Sequence, residues 1–169
     1  MTTAQEATAG QIQVADRPDA PANLSEAQRL LVGGAIRKKL GLESMDLHLG
    51  LDLARNQLQR GATTEAFRTY VALVLCDPSD PELQIGLANC ALQVGEEELA
   101  LQAASAVVAL APSDPRGYYL SGRACLGLGH YAEAKEDLTD AITFAKATKN
   151  SVIFEEADKL LHKLAALSS

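Results

Sequence analysis

At 169 residues the chain has room for one domain and too little for two comfortable ones. Apolar residues make up 47%, which excludes wholesale disorder; aromatics at 4%, no Trp and an apolar set dominated by Ala and Leu favour closely packed helices over a β-sandwich. Against 22 Asp and Glu stand 15 Lys and Arg, a net charge of −7 that excludes recognition of nucleic-acid phosphates through a basic surface.

Residues 1–22, rich in Thr, Gln, Ala and Pro, read as a disordered tail. The opening stretch lacks the basic segment and apolar core of a secretory signal. Residues 23–46 form an N-terminal helical segment with a helix predicted over 24–40. Asn23 and Glu26 have capping-box-like spacing at its start, Gly41 ends it, and the pair Gly33 and Gly34 weakens it within.

From residue 47 a fixed interval takes over. Gly61, Gly95 and Gly129 are spaced by 34 and 34, and Ala66, Ala100 and Ala134 repeat the same interval. Ala54, Ala88 and Gly122 do so again, as do the near-copies PSDPEL and PSDPRG that begin at Pro78 and Pro112. Four markers thus agree on one register, which an unrelated helical bundle would not require. Each unit reads as two helices. In the second, Pro81 sits in a first turn, where its missing N–H is harmless. Leu83, Leu87, Ala88, Ala91 and Leu92 form the apolar stripe, and Gly95 is a left-handed cap. The next helix carries Leu99, Ala100, Ala103, Ala104, Val107, Val108 and Leu110 until Pro112 stops it. Ala88 and Ala100 let the two helices approach closely.

These residues resemble the tetratricopeptide repeat. The resemblance implies an all-α solenoid of three helix pairs, over residues 47–80, 81–114 and 115–147, within a repeat domain of 47–169. The chain departs from the pattern in its bulky slots, where Gly50 and Gln84 stand in place of an aromatic and only Tyr118 fills the third. The third unit also has Lys146 in place of its closing proline. Asn150 or Ser151 then caps a final helix reaching about residue 167, with Val152, Ala157, Leu160, Leu161 and Leu164 expected to face inward. Stacked repeats need such an end cap.

Nothing in the sequence points to catalysis, a cofactor or a metal. Gly122, Gly127 and Gly129 superficially resemble a phosphate loop but lack its Lys and Ser or Thr, and the repeat explains them. His48, His130 and His162 are scattered over three elements without ligand spacing. Glu96, Glu97 and Glu98 lie where a helix dipole favours carboxylates. Cys76, Cys90 and Cys125 have no CxxC spacing and read as reduced, packed thiols. The least charged apolar run, residues 99–112, is too short to span a bilayer, so no direct membrane insertion is expected. The expected location is cytoplasmic, and an enzyme is not expected.

What remains is a surface. In stacked helix pairs the first helix of each pair lines a concave face. The residues expected there are Leu51, Arg55, Leu58 and Gln59, then Ile85, Asn89, Leu92 and Gln93, then Tyr119, Arg123 and Leu126. An apolar strip with amides and guanidinium groups at intervals suits an extended peptide, because pockets take apolar side chains while polar groups satisfy its backbone.

The whole arrangement resembles the class II chaperones of bacterial type III secretion, the low-calcium-response H family. The likeness begins at Gly33, Gly34, Ala35 and Ile36 with Leu40, and continues through Leu53, Ala54, Gln57 and Gly61. It resumes at Ala72, Leu73, Asp77, Ile85, Gly86, Leu87, Leu99 and Ala100. In the third unit it takes in Ala124, Cys125, Leu126, Gly129, Ala132, Glu133 and Ala134, so it covers roughly residues 33–165. The resemblance implies an ATP-independent chaperone whose groove holds an extended segment of a secreted, pore-forming translocator. It further implies a homodimer paired through the N-terminal helix, and a transcription activator as an additional partner. Family members often carry aromatics at the first-unit groove positions, where this chain has Leu51, Arg55 and Leu58. The alternative reading is a repeat scaffold or co-regulator that binds folded proteins or a transcription activator. The chain has no DNA-reading element of its own.

Overall fold

The computed structural model describes residues 35–167. The tail and most of the expected 24–40 helix, including Asn23, Glu26 and the two glycines, lie outside the described residues. Within them the chain is all helical: α1 (Ala35–Lys39), α2 (Ser44–Gln59), α3 (Thr63–Cys76), α4 (Pro81–Val94), α5 (Glu97–Leu110), α6 (Pro115–Leu128), α7 (Tyr131–Thr148) and α8 (Ser151–Leu167). Helices α2 to α7 form three pairs of a tetratricopeptide-type solenoid. From α2 onward each helix packs on the next in sequence, whereas α1 packs on α3; α4 also touches α6, and α6 touches α8.

Local chemistry explains the boundaries. Asp80 and Asp114, one repeat apart, cap α4 and α6 by accepting from the backbone N–H of Glu82 at 2.8 Å and of Arg116 at 2.9 Å. Pro81 and Pro115 follow in the first turn, and Gly95 (φ 81°) and Gly129 (φ 77°) close the same helices in the left-handed region that glycine enters freely. With no proline at position 146, α7 runs to 18 residues, against 14 for α5, and ends on Lys149 at φ 57°. Asn150 caps α8, its Oδ1 accepting from the Ile153 N–H at 3.1 Å.

The core follows the repeat. Ala54, Ala88, Ala66, Ala100 and Ala134 are each 0% exposed, so the small residues at interval 34 are where helices meet most closely. Large side chains fill between them: Leu83, Leu120, Leu138 and Val107 are fully buried. The three bulky slots, two of them departures from the pattern, are filled in separate ways. Gln84 donates its Nε2 to the Pro78 carbonyl at 2.9 Å, and Tyr118 donates its hydroxyl to the equivalent Pro112 carbonyl at 3.1 Å while stacking on Phe144. At Gly50 the Leu73 side chain occupies the space, with Cδ2 only 2.6 Å from where a Cβ would stand. A buried amide is tolerable at Gln84 because it is hydrogen-bonded.

Helix α8 covers the end of the third pair with Ala157, Leu160 and Leu161, which pack with Leu138 and Ala141, and with buried Leu164. Val152 does not join them. It is 67% exposed, and Ile153 takes the inward place expected of it. At about 100° per residue Val152 lies about 140° round the helix from Ala157, whereas Ile153 lies about 40° away.

Cys90 and Cys125 are buried and Cys76 is half-buried; all three are free. Burial pushes the Cys90 thiol up to about 11. Cys125 is pushed up by burial and then by the nearby charges of Asp137 and Glu133. Thiolate is the reactive form. Labelling the native protein with a thiol reagent at pH 8 is expected to modify Cys76 alone within minutes, and all 3 cysteines only after unfolding in urea.

Candidate functional site

The first helices of the three pairs set the expected groove residues in columns one repeat apart: Leu51, Ile85, Tyr119; Arg55, Asn89, Arg123; Leu58, Leu92, Leu126; and Gln59 with Gln93. Leu51 and Ile85 are 9% and 7% exposed and belong to the main core cluster. Leu51 nevertheless lines a cavity of about 230 Å³ together with Leu47, Leu83, His48 and Asp80, at the end where α1 meets the first pair. Tyr119, Leu58 and Leu92 are half-buried against that cluster, and Leu126 is half-buried beside Leu138 and α8. Tyr119, Leu58, Leu92 and Leu126 are therefore seated on the core and partly open, whereas Leu51 and Ile85 are nearly covered.

The polar columns are partly engaged. Asn89 donates Nδ2 to the Ile85 carbonyl at 3.1 Å, and Gln93 accepts from the Thr63 hydroxyl at 3.3 Å, which ties α4 to the start of α3. The Arg123 guanidinium sits over the Tyr119 ring, 5.7 Å from its centre, a cation–π contact within one helix turn. Arg55 lies 3.9 Å from Asp52 and 3.8 Å from Glu82, so its charge reaches from the first pair to the second.

Glu82 and Arg116 escaped the sequence reading. Glu82 Oε1 accepts from Arg116 at 2.6 Å, and Arg116 also forks onto Asp114 at 2.6 Å, so a chain Arg55–Glu82–Arg116–Asp114 links all three pairs. Their signal was available: positions 82 and 116 are one repeat apart and lie one turn before Ile85 and Tyr119. The side chains of Arg55, Glu82 and Arg116 are a third or more exposed, so each pair contributes at most about 1 kcal/mol.

Burial alone would raise the Asp114 carboxyl, but hydrogen bonds from the Arg116 side chain and backbone, together with its charge, hold it below the usual carboxylate range. The hydrogen bonds that Arg116 donates, first to Asp114 and then to Glu82, hold its guanidinium protonated. A depressed folded pKa means that the Asp114 contribution is complete above the unfolded value and is lost as pH falls through the folded one. Arg116→Met is expected to lower stability at pH 7 by about 1 kcal/mol, with the gap to the unsubstituted protein closing in acid. Urea midpoints measured from pH 7 down through the carboxylate range check this; an unchanged gap in acid refutes it.

Among the described residues no three His, Cys, Asp or Glu side chains converge as metal ligands, and no helix is long and apolar enough to cross a membrane. What the arrangement offers is an apolar, amide- and guanidinium-bearing lining on the first helices of three pairs.

No family model matches the chain. A stretch of 97 residues is 34% identical to cellulose synthase operon protein C of Pseudomonas fluorescens; it takes in 57% of this chain but spans only 8% of that protein. Among solved structures the chain is similar to PcrH of Pseudomonas aeruginosa in complex with the chaperone binding region of PopD. That likeness has 26% identity and a TM-score of 0.71, over 76% of this chain and 98% of the other. PcrH bound to the corresponding region of PopB gives 27% identity and a TM-score of 0.67, over 72% and 98%. The type III secretion chaperone SycD of Yersinia enterocolitica, in complex with a peptide of the translocator YopD, shares the fold at 24% identity and a TM-score of 0.68, over 75% and 98%. The likeness is to type III secretion translocator chaperones, the family that the sequence resembles.

Proposed function

We propose that this chain is a class II translocator chaperone of type III secretion, which holds an extended segment of a secreted, pore-forming client on its concave face. The observation that carries the reading is the structural likeness to PcrH with segments of PopD and PopB, which extends over 98% of those chains. The repeat-registered lining Leu51, Arg55, Leu58, Gln59, Ile85, Asn89, Leu92, Gln93, Tyr119, Arg123 and Leu126 supports it.

A client with long apolar segments aggregates or inserts in the wrong membrane before export. Seating a short stretch of it in half-open apolar columns, with Arg123, Gln59 and Gln93 at hand for its backbone and polar groups, keeps the complex in solution. Leu51 and Ile85, nearly covered, act mainly by shaping the columns from below. Micromolar affinity corresponds to about −8 kcal/mol, within reach of a few well-filled pockets after the costs of association. Holding in this way needs neither nucleotide nor covalent chemistry, so the protein is not an enzyme, and its place of action is the cytoplasm. Pairing of two copies, and engagement of a transcription activator, belong to the same proposal.

Affinity capture of the tagged protein from its host tests the reading. A stoichiometric secreted protein with long apolar segments is the expected partner. Recovery of a folded cytosolic protein in its place moves the function to that of a repeat scaffold.

A further inference from the structure

Three arginines lie on the first helices of the pairs, and two of them are matched by carboxylates. Arg55 approaches Asp52 and Glu82, and Arg116 forks onto Asp114 while bonding Glu82. Arg123 differs. Its guanidinium lies over the Tyr119 ring, and among the described residues it has neither a hydrogen-bond acceptor nor an ion-pair partner. Acidic residues outnumber basic ones 22 to 15 in this chain, so a guanidinium left without a carboxylate is conspicuous. Arg123 is half-buried, one turn after Tyr119 and just under one turn before Leu126, so it stands between two half-open apolar columns. Tyr119 is itself held in place, packed on the main core cluster and on the cluster beneath α8. From α8 the Glu156 carboxylate is taken by Lys159 at 2.8 Å, and the Lys159 ammonium interacts electrostatically with Tyr119. A guanidinium stacked on an aromatic face keeps its in-plane N–H edge free. That edge matches a carboxylate through two parallel hydrogen bonds.

We infer that Arg123, held over Tyr119, receives the side-chain carboxylate of an Asp or Glu within the client's extended segment. The protein thereby selects segments that carry an acid beside their apolar anchors. The inference rests on the concave-face reading proposed above and adds a charge requirement to it. A spacing follows from the geometry. Helices α4 and α6 are in contact, and the axes of packed helices lie about 9 Å apart. An extended chain rises about 3.3 Å per residue, so the acid stands about three residues from the apolar side chain seated on Leu92 of α4. Partial burial strengthens the pair, because water and salt screen a half-buried charge less than an exposed one. Arg55, the repeat equivalent of Arg123, cannot serve in the same way while Asp52 and Glu82 face it.

The test selects, on the immobilised full chain, from short C-terminally amidated peptides randomised among Ala, Leu, Pro, Glu, Gln and Lys. Mass-spectrometric sequencing of the retained peptides reads the preference at each position. The expected result is enrichment of Leu and, about three residues from it, a preference for Glu over Gln of about tenfold. Arg123→Gln is expected to lose the Glu preference and keep the Leu enrichment. Arg123→Glu is expected to select Lys at the same spacing, a reversal that a purely structural role for Arg123 would not produce. Far-ultraviolet dichroism establishes that both variants are folded. Leu enrichment without a Glu preference, or a Glu preference that survives in Arg123→Gln, overturns the inference and leaves the concave-face reading standing. Retention without any residue preference overturns both. A parallel library with free C-termini and no Glu addresses the other source of a carboxylate. Its retention over the amidated peptides, lost in Arg123→Gln, places a chain end at Arg123 and overturns the side-chain assignment.

Discussion

Gly86→Ala is expected to destabilise the protein by about 2 kcal/mol, the larger of the two effects on the fold considered. Gly86 is buried in α4, where an added Cβ would clash with Cε1 at the edge of the Tyr70 ring of α3, itself 3% exposed. Overpacking of this kind typically costs about 1–3 kcal/mol, and a ring held in the main core cluster has little room to move. The better helix propensity of alanine returns up to about 1 kcal/mol, so the net loss is a minimum for the strain. With a urea dependence of about 2 kcal/mol per molar, the unfolding midpoint falls by roughly 1 M. Tyr70→Leu in the same chain is expected to restore part of the loss, because the two sites share one contact. An unchanged midpoint for Gly86→Ala, or strict additivity in the double variant, rejects the assignment of Gly86 as the place where the first two pairs close on each other.

Leu58→Asp together with Leu92→Asp is expected to remove client binding while the helices remain. Both leucines are half-buried, at equivalent positions of α2 and α4, and both rest on the core with one side open. Filled apolar pockets at the centre of an interface are worth about 2 kcal/mol or more each, roughly thirtyfold in affinity. Losing two carries a micromolar complex to the millimolar range. Far-ultraviolet dichroism establishes that the variant is folded, and titration with a client segment supplies the affinity. A folded double variant that binds as tightly as the unsubstituted protein eliminates these two columns as the binding surface. Leu101→Asp on α5, half-buried but off the first helices, is the control expected to leave client affinity within a few-fold.

These expectations rest on parts of the molecule that differ in how openly the sequence displays them. The helix pairs were plain because their signals are local and recur. Pro81 and Pro115 with Asp80 and Asp114 start the helices, Gly95 and Gly129 end them, and the interval of 34 makes each reading a check on the others. The small residues at Ala54, Ala88, Ala66 and Ala100 told in advance where the helices touch, since only small side chains permit that approach. Val152 was a local misreading, since the helical angle from Ala157 already places Ile153 and not Val152 inward. Less local features were not legible. Gln84 looked like a defect in a bulky slot until the Pro78 carbonyl was found beside it.

The candidate site divides along the same line. Its columns follow from the repeat, so the sequence by itself determined which positions stand in register: 51 with 85 and 119, 55 with 89 and 123, 58 with 92 and 126. Only the tertiary structure decided how deep each one lies and with whom it pairs. Ile85 is nearly covered whereas its equivalent Tyr119 is half-open, and Arg55 reaches Glu82 whereas its equivalent Arg123 rests on an aromatic ring. The physical reason is range. Caps, turns and stripes are fixed by residues within a turn or two of one another, but exposure and ion pairing are set by the angle at which one helix pair lies on the next. That angle is decided by contacts such as Tyr70 on Gly86, between residues far apart in the chain.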